Sequence, residues 1–172
     1  MIVQMNSIDK IWIYFFLISS SYSNEKSIIE GKAVVVDGDT IKINNEIIRF
    51  GGIDAPESYY RGKKQFCIKD NNKVFCGNIS KEKLRDKIRN NLLICKTELN
   101  KDRYKRLIGE CFINDESLSV FMVKNGYAFD WPRYSKGKYI KEQEYAKENS
   151  LGFWSMKFEY PWIWRKKVRE NK

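Results

Sequence analysis

Four acidic side chains stand in two short blocks, Asp37 and Asp39 in VDGDT and Asp54 and Glu57 in GIDAPE, with Arg49 between them. No histidine occurs anywhere in the 172 residues. That removes Ser-His-Asp triads, paired-histidine ribonuclease chemistry and every other mechanism that turns on an imidazole. What remains is carboxylate, guanidinium, amine, phenol and metal. Hydrolysis of a phosphodiester fits this inventory: a hard cation held by carboxylates polarises the phosphate, another carboxylate activates water, and guanidinium forks match the equatorial oxygens. Taken singly these residues are ordinary, since Asp-Gly is a common turn, Asp-Ala-Pro-Glu a common loop and a strand arginine is usually just exposed. Their conjunction carries the information.

The intervening elements must bring the two blocks together. GKAVVVDGDTIKINNEIIRFGGIDAPE reads as a β-meander from Lys32 to Gly52, three short strands with turns at Asp37-Gly38 and Asn44-Asn45. Hairpin return can place both blocks on one side of it. The polar stretch from Glu57 to Asn78 reads as a loop, and Ser80, Leu84 and Ile88 then share one helical face. LLICKTEL and RLIGECFI read as a further strand pair joined by a turn containing DRYKR. A second helix in ESLSVFMVKNG presents Leu118, Phe121, Met122 and Val123 and stops at Gly126. A third is predicted from about Lys138 to Ser150, with Ile140, Tyr145 and Ala146 inward, before an aromatic tail holding Trp154, Trp162 and Trp164. The fold class expected is α+β and dominated by a β-barrel: a five-stranded oligonucleotide-binding-fold barrel with about three helices.

Thirty-two Lys and Arg against 22 Asp and Glu leave a net charge of +10, which favours a polyanionic partner, either nucleic acid or an acidic membrane surface. Lys10, the apolar run Ile11 to Ile18 and the small residues up to Ser23 read as a secretory leader over 1–23. The run is shorter than the roughly 20 apolar residues of a membrane span, though uncleaved it would be an anchor. Residues 24–172 are then expected to form one domain, secreted or periplasmic, monomeric, with no lasting membrane association. In an oxidising compartment the four cysteines favour two disulfides over a zinc site, which also lacks a CxxC pair and histidine. Three connectivities are open, and the favoured one pairs Cys67 with Cys76, near in sequence, and Cys95 with Cys111 on two strands.

Together, VVDGDT, RFGGIDAPE at a fixed distance behind it, DRYKR and VFMVKNGYA resemble the thermonuclease (staphylococcal nuclease) family over about residues 31–154. The cysteine pattern looks like that of secreted bacterial members. The resemblance implies a nuclease acting on DNA or RNA with Ca²⁺ as cofactor. Asp39, Asp54 and the main-chain carbonyl of Ala55 would ligate the ion, with Asp37 just outside orienting water. Glu57 is similar to the family's proposed general base, and Arg49 and Arg106 would grip the scissile phosphate bidentately. Products would end in 3′-phosphate. Arg103, Tyr104 and Tyr134 match positions flanking the nucleotide, where stacking tolerates any base, although both tyrosines could equally be packing residues. Two departures stand out: Lys105 where the family usually has Gly, which puts the placement of Arg106 in doubt, and Ser119 where it commonly has Asn. The competing class is a catalytically inactive module that binds nucleic acid or protein. Such a module would be expected to have lost some of Asp39, Asp54, Glu57, Arg49 and Arg106, all of which are present.

Overall fold

A computed structural model describes residues 26–171 of the chain, so the expected leader and its cleavage point lie outside the described residues. Alternating apolar and polar residues produce strands β1 (Ser27–Lys32), β2 (Val34–Asp37), β3 (Thr40–Ile43) and β4 (Glu46–Phe50). The predicted meander is β2 to β4, and β1 precedes it. Asn44 and Asn45, at φ 48° and 71°, take the left-handed pair that a tight hairpin turn between β3 and β4 requires. After the short β5 (Ile53–Asp54) the predicted loop contains a small hairpin instead, β6 (Cys67–Lys69) and β7 (Asn72–Val74), turning through Asp70 and Asn71 at positive φ. Asp and Asn tolerate that conformation, a signal hidden by the stretch's uniform polarity.

Helix α1 (Cys76–Ile88) buries Ser80, Leu84 and Ile88, the face their spacing predicts. Long strands β8 (Leu92–Lys101) and β9 (Leu107–Ile113) follow, then β10 (Glu116–Ser117). The main sheet runs β1-β8-β9-β4-β3-β2, antiparallel throughout except where β4 meets β9, with β10 paired to β9. It curls into a half-barrel, the oligonucleotide-binding arrangement expected, carrying more helices than the sequence suggested.

Helix α2 (Leu118–Lys124) is capped by Ser117, whose Oγ accepts from the Val120 N–H at 3.2 Å, and buries Leu118, Met122 and Val123. Strand β11 (Phe129–Asp130) pairs with β5, setting Phe129 opposite Asp54, and the single-turn helix α3 (Pro132–Ser135) follows. Helix α4 (Ile140–Glu148) differs from expectation. Only Ala146 of its predicted inward face is buried, while Ile140 and Tyr145 are about half exposed. The large buried side chain is Tyr139, one residue ahead of the helix, and a small residue suffices where α4 lies against α2.

The aromatic tail folds into a 3₁₀ turn (Gly152–Ser155) and helix α5 (Pro161–Glu170), which begins with proline at its first turn. Buried Phe129 gathers it, with ring centroids 4.7 Å from Phe158, 5.1 Å from Tyr160 and 5.6 Å from Trp154. Cys67 bonds Cys76 across the base of the small hairpin, and Cys95 bonds Cys111, its direct cross-strand partner in the β8–β9 register.

Because one buried ring holds β11 to the whole tail, Phe129→Ala should cost about 3–5 kcal/mol in denaturant unfolding. A loss below about 1 kcal/mol would mean that the tail is anchored elsewhere.

Candidate active site

Main-chain geometry draws the acidic blocks together. Asp37 ends β2, Asp39 lies in the turn to β3, and Thr40 faces Arg49 across the β3–β4 pair. The Ala55 N–H donates to Asp39 Oδ2 at 2.8 Å, and the Ser58 N–H reaches Asp37 at 3.3 Å. The carboxylates of the first block therefore satisfy the backbone of the second. Helix α1 is seated directly on both. A Cβ on Gly38 would stand 2.0 Å from Ser80 Oγ, and one on Gly77 would stand 2.0 Å from the Glu57 carbonyl oxygen, so only glycine fits at either position.

Arg49 lies against both blocks. Its guanidinium pairs with Asp39 Oδ1, while Nη2 donates to Asp54 Oδ1 at 2.6 Å and to the Ile53 carbonyl at 3.3 Å. Asp54 has no exposed surface. Its remaining partner comes from the far end of the chain, where Arg165 of α5 donates Nη1 to Asp54 Oδ1 at 3.0 Å and Nη2 to Oδ2 at 2.7 Å. The same Nη1 pairs with Glu57 Oε1. Carboxylate and guanidinium thus alternate: Asp39, Arg49, Asp54, Arg165, Glu57. Sequence reasoning brought four of these five together and missed Arg165. It also missed the fully buried Gln65, whose Oε1 accepts from the Glu57 N–H at 3.0 Å while its Nε2 donates to the Glu159 carbonyl at 2.8 Å. A Pro followed by aromatics and Arg at helical spacing, PWIWR, was the available signal for α5.

Burial pushes Glu57 above the usual carboxylate range, with the Arg165 guanidinium opposing it. Burial likewise raises Asp37, against the amides of Gly38 and Ser58. The Arg49 guanidinium is lowered by burial, Asp54 resists, and Arg106 lies near enough to add its repulsion. Arg106 does not join the alternating set. Its Nε and Nη2 donate to Asp102 Oδ2 at 3.0 and 2.8 Å. Lys105 adopts φ 63°, so the DRYKR turn has the left-handed residue that glycine would supply.

Tyr104 is 60% exposed, with Arg103 and Arg106 over its ring at 4.8 and 5.1 Å. Tyr134 is 57% exposed and leans on Trp131 at 4.4 Å. Neither ring is a core packing residue. Ser119, by contrast, is fully buried in α2.

Asp37, Asp39 and Asp54, with the Ala55 carbonyl that the resemblance names beside them, are oxygen donors, the type that hard divalent cations take. Among the described residues no three carboxylates close directly on one another. Asp39 and Asp54 are joined through Arg49, and Asp54 and Glu57 through Arg165.

Residues 47–156 match the family described as staphylococcal nuclease homologue. The chain belongs to the staphylococcal nuclease family. It is 33% identical over 129 residues to the succinoglycan biosynthesis protein ExoI of Rhizobium meliloti, covering 73% of this chain and 64% of that one. It is 31% identical over 135 residues to the endonuclease YhcR of Bacillus subtilis, covering 70% of this chain and 11% of that one. An uncharacterized endonuclease of Haemophilus influenzae is 29% identical over 150 residues, covering 83% and 75%. The chain thus spans less than two thirds of ExoI and a small part of YhcR. Within the staphylococcal nuclease match lie Arg49, Asp54, Glu57 and Arg106, whereas Asp37 and Asp39 precede it and Arg165 follows it.

A lysine at left-handed φ costs roughly 1 kcal/mol, partly offset by the greater unfolded entropy of glycine. Lys105→Gly should therefore stabilise the protein by about 0.5 kcal/mol in urea unfolding. A loss of more than about 1 kcal/mol would show that the lysine side chain itself holds the turn.

Proposed function

We propose that this chain is a secreted, Ca²⁺-dependent nuclease hydrolysing phosphodiester bonds of DNA or RNA. The observation that carries this reading is the alternating set of Asp39, Arg49, Asp54, Arg165 and Glu57, with Asp37 beside it. Burying so many charges is poor value for stability, because desolvation offsets most of the attraction. Such groups gather where charge must be handled during a reaction. At full ionisation Asp37, Asp39, Asp54 and Glu57 exceed Arg49 and Arg165 by two negative charges, a balance suited to a divalent cation.

Asp39, Asp54 and the Ala55 carbonyl would hold Ca²⁺, with Asp37 orienting water beside it. The ion supplies Lewis-acid polarisation of the phosphate when bound. Glu57, its carboxyl lifted by burial, takes the proton from the attacking water. Arg49 and Arg106 offer planar forks to the phosphate oxygens, a shape that lysine cannot reproduce. Using Arg49 in this way requires its guanidinium to be shared with the substrate, and Arg106 must swing from Asp102. Expulsion of the 5′ oxygen leaves a 3′-phosphate. Exposed Tyr104 and Tyr134, with Arg103, suit sequence-tolerant stacking along a strand. The two disulfides support export to an oxidising space, secreted or periplasmic, after removal of residues 1–23.

Digestion of single-stranded DNA by the purified protein, with Ca²⁺ and then with excess chelator, tests the reading. Cleavage in Ca²⁺ alone is expected, and its absence in both leaves a binding module. Arg49→Lys should lower kcat by a hundredfold or more, roughly 3 kcal/mol of transition-state stabilisation, with little change in substrate binding. Asp39→Asn should weaken Ca²⁺ instead and recover activity at higher metal concentration. If extra calcium restores Arg49→Lys equally well, Arg49 is not the phosphate clamp.

A further inference from the structure

The proposed hydrolysis gives Arg165 no task, yet this side chain is as heavily engaged in the site as Arg49. It lies on α5, with only 13% of its side chain exposed, and contacts three oxygens of two carboxylates separated from it by 111 and 108 residues. We propose that Arg165 is a positioning residue for the nuclease reaction, fixing Asp54 and Glu57 relative to one another. Helix α5 is thereby part of the active site. The inference rests on the nuclease reading for its catalytic consequence, though not for the positioning itself.

A rigid planar fork that takes both oxygens of Asp54 sets the plane of that carboxylate, and its further contact to Glu57 Oε1 sets the second carboxylate against the first. A fork is only as well placed as the helix that carries it, and α5 is held at several points. Tyr160, just ahead of it, packs on Phe129, the residue paired with Asp54 across β5 and β11. The helix is therefore registered to β11, the strand paired with the one that carries its target. Trp162 stacks on Trp131, rings 6.1 Å apart and 4° from parallel. Three residues on, and so on the same helix face, Arg165 lies over that same Trp131 at 5.3 Å. Gln65 adds an independent tie, joining the Glu57 amide to the Glu159 carbonyl at the start of the tail. Loop and tail are thus clamped together twice, through backbone by Gln65 and through carboxylates by Arg165. Every polar contact of Arg165 at the site is to Asp54 or Glu57, and its effect passes through those two carboxylates.

The test uses the whole protein with Arg165→Lys, which keeps the charge but cannot span three oxygens, and Arg165→Gln, which removes it. On single-stranded DNA at saturating Ca²⁺, kcat should fall about a hundredfold in the glutamine variant and at least tenfold in the lysine variant, with KM within about threefold. Hydrogen exchange at the amides of Ala55, Glu57 and Ser58 should be faster in Arg165→Gln while amides of β8 and β9 exchange as before. Unchanged kcat in both variants would reduce Arg165 to a tether for α5. A raised kcat would mean that it obstructs the site, and either result overturns the proposal. Should the unsubstituted protein cleave nothing, the nuclease reading falls by itself, and exchange decides the positioning: unchanged rates at those three amides would sink it.

Discussion

Asp54 has no contact with solvent, and an ionised carboxylate in that position is tolerable only if opposite charge comes to meet it. Much of the architecture answers that demand. Strand β4 delivers Arg49 from one side and α5 delivers Arg165 from the other, so the residue at the end of a two-residue strand is approached by elements far apart in sequence. Asp39 and Glu57 then extend the same alternation outward, each sharing one of the two guanidiniums. The result is a rigid lattice of charge in which no member can move without unpairing its neighbour, the property that a reaction centre with developing negative charge requires.

Rigidity there depends on backbone fit as much as on charge. Gly38 and Gly77 let α1 press against both acidic loops at distances that no side chain would allow. Asp37 and Asp39 spend part of their hydrogen-bonding capacity on amides of the second block. These carboxylates are held in place by structural bonds before they are available for any other work, which limits how far they can turn.

The acidic blocks, Arg49, the helical face of Ser80, Leu84 and Ile88, and both disulfides were legible in the sequence because each is a local pattern or a short pairing. The half-barrel was legible for the same reason, since alternation and turn residues mark its strands. Arg165 and Gln65 were not. Their roles arise from contacts across about a hundred residues, and nothing in either one's neighbours announces a carboxylate partner. The inward face of α4 failed for a different reason: its periodicity is real, but the space against α2 admits only Ala146, and Tyr139 takes the core position from outside the helix. Lys105 shows the converse case, a residue that breaks the local rule while the turn survives, because Asp102 accepts from the amides of Tyr104 and Arg106 on either side of it.

The separation of Arg165 from Asp54 also has an entropic side. Closing a loop of 111 residues in an open chain costs more entropy than closing the β2–β3–β4 hairpins or the β8–β9 pair, which span a few residues each. The two cations that meet Asp54 therefore differ in kind: Arg49, five residues away, is supplied by the neighbouring strand, whereas Arg165 depends on every contact that holds the tail in place.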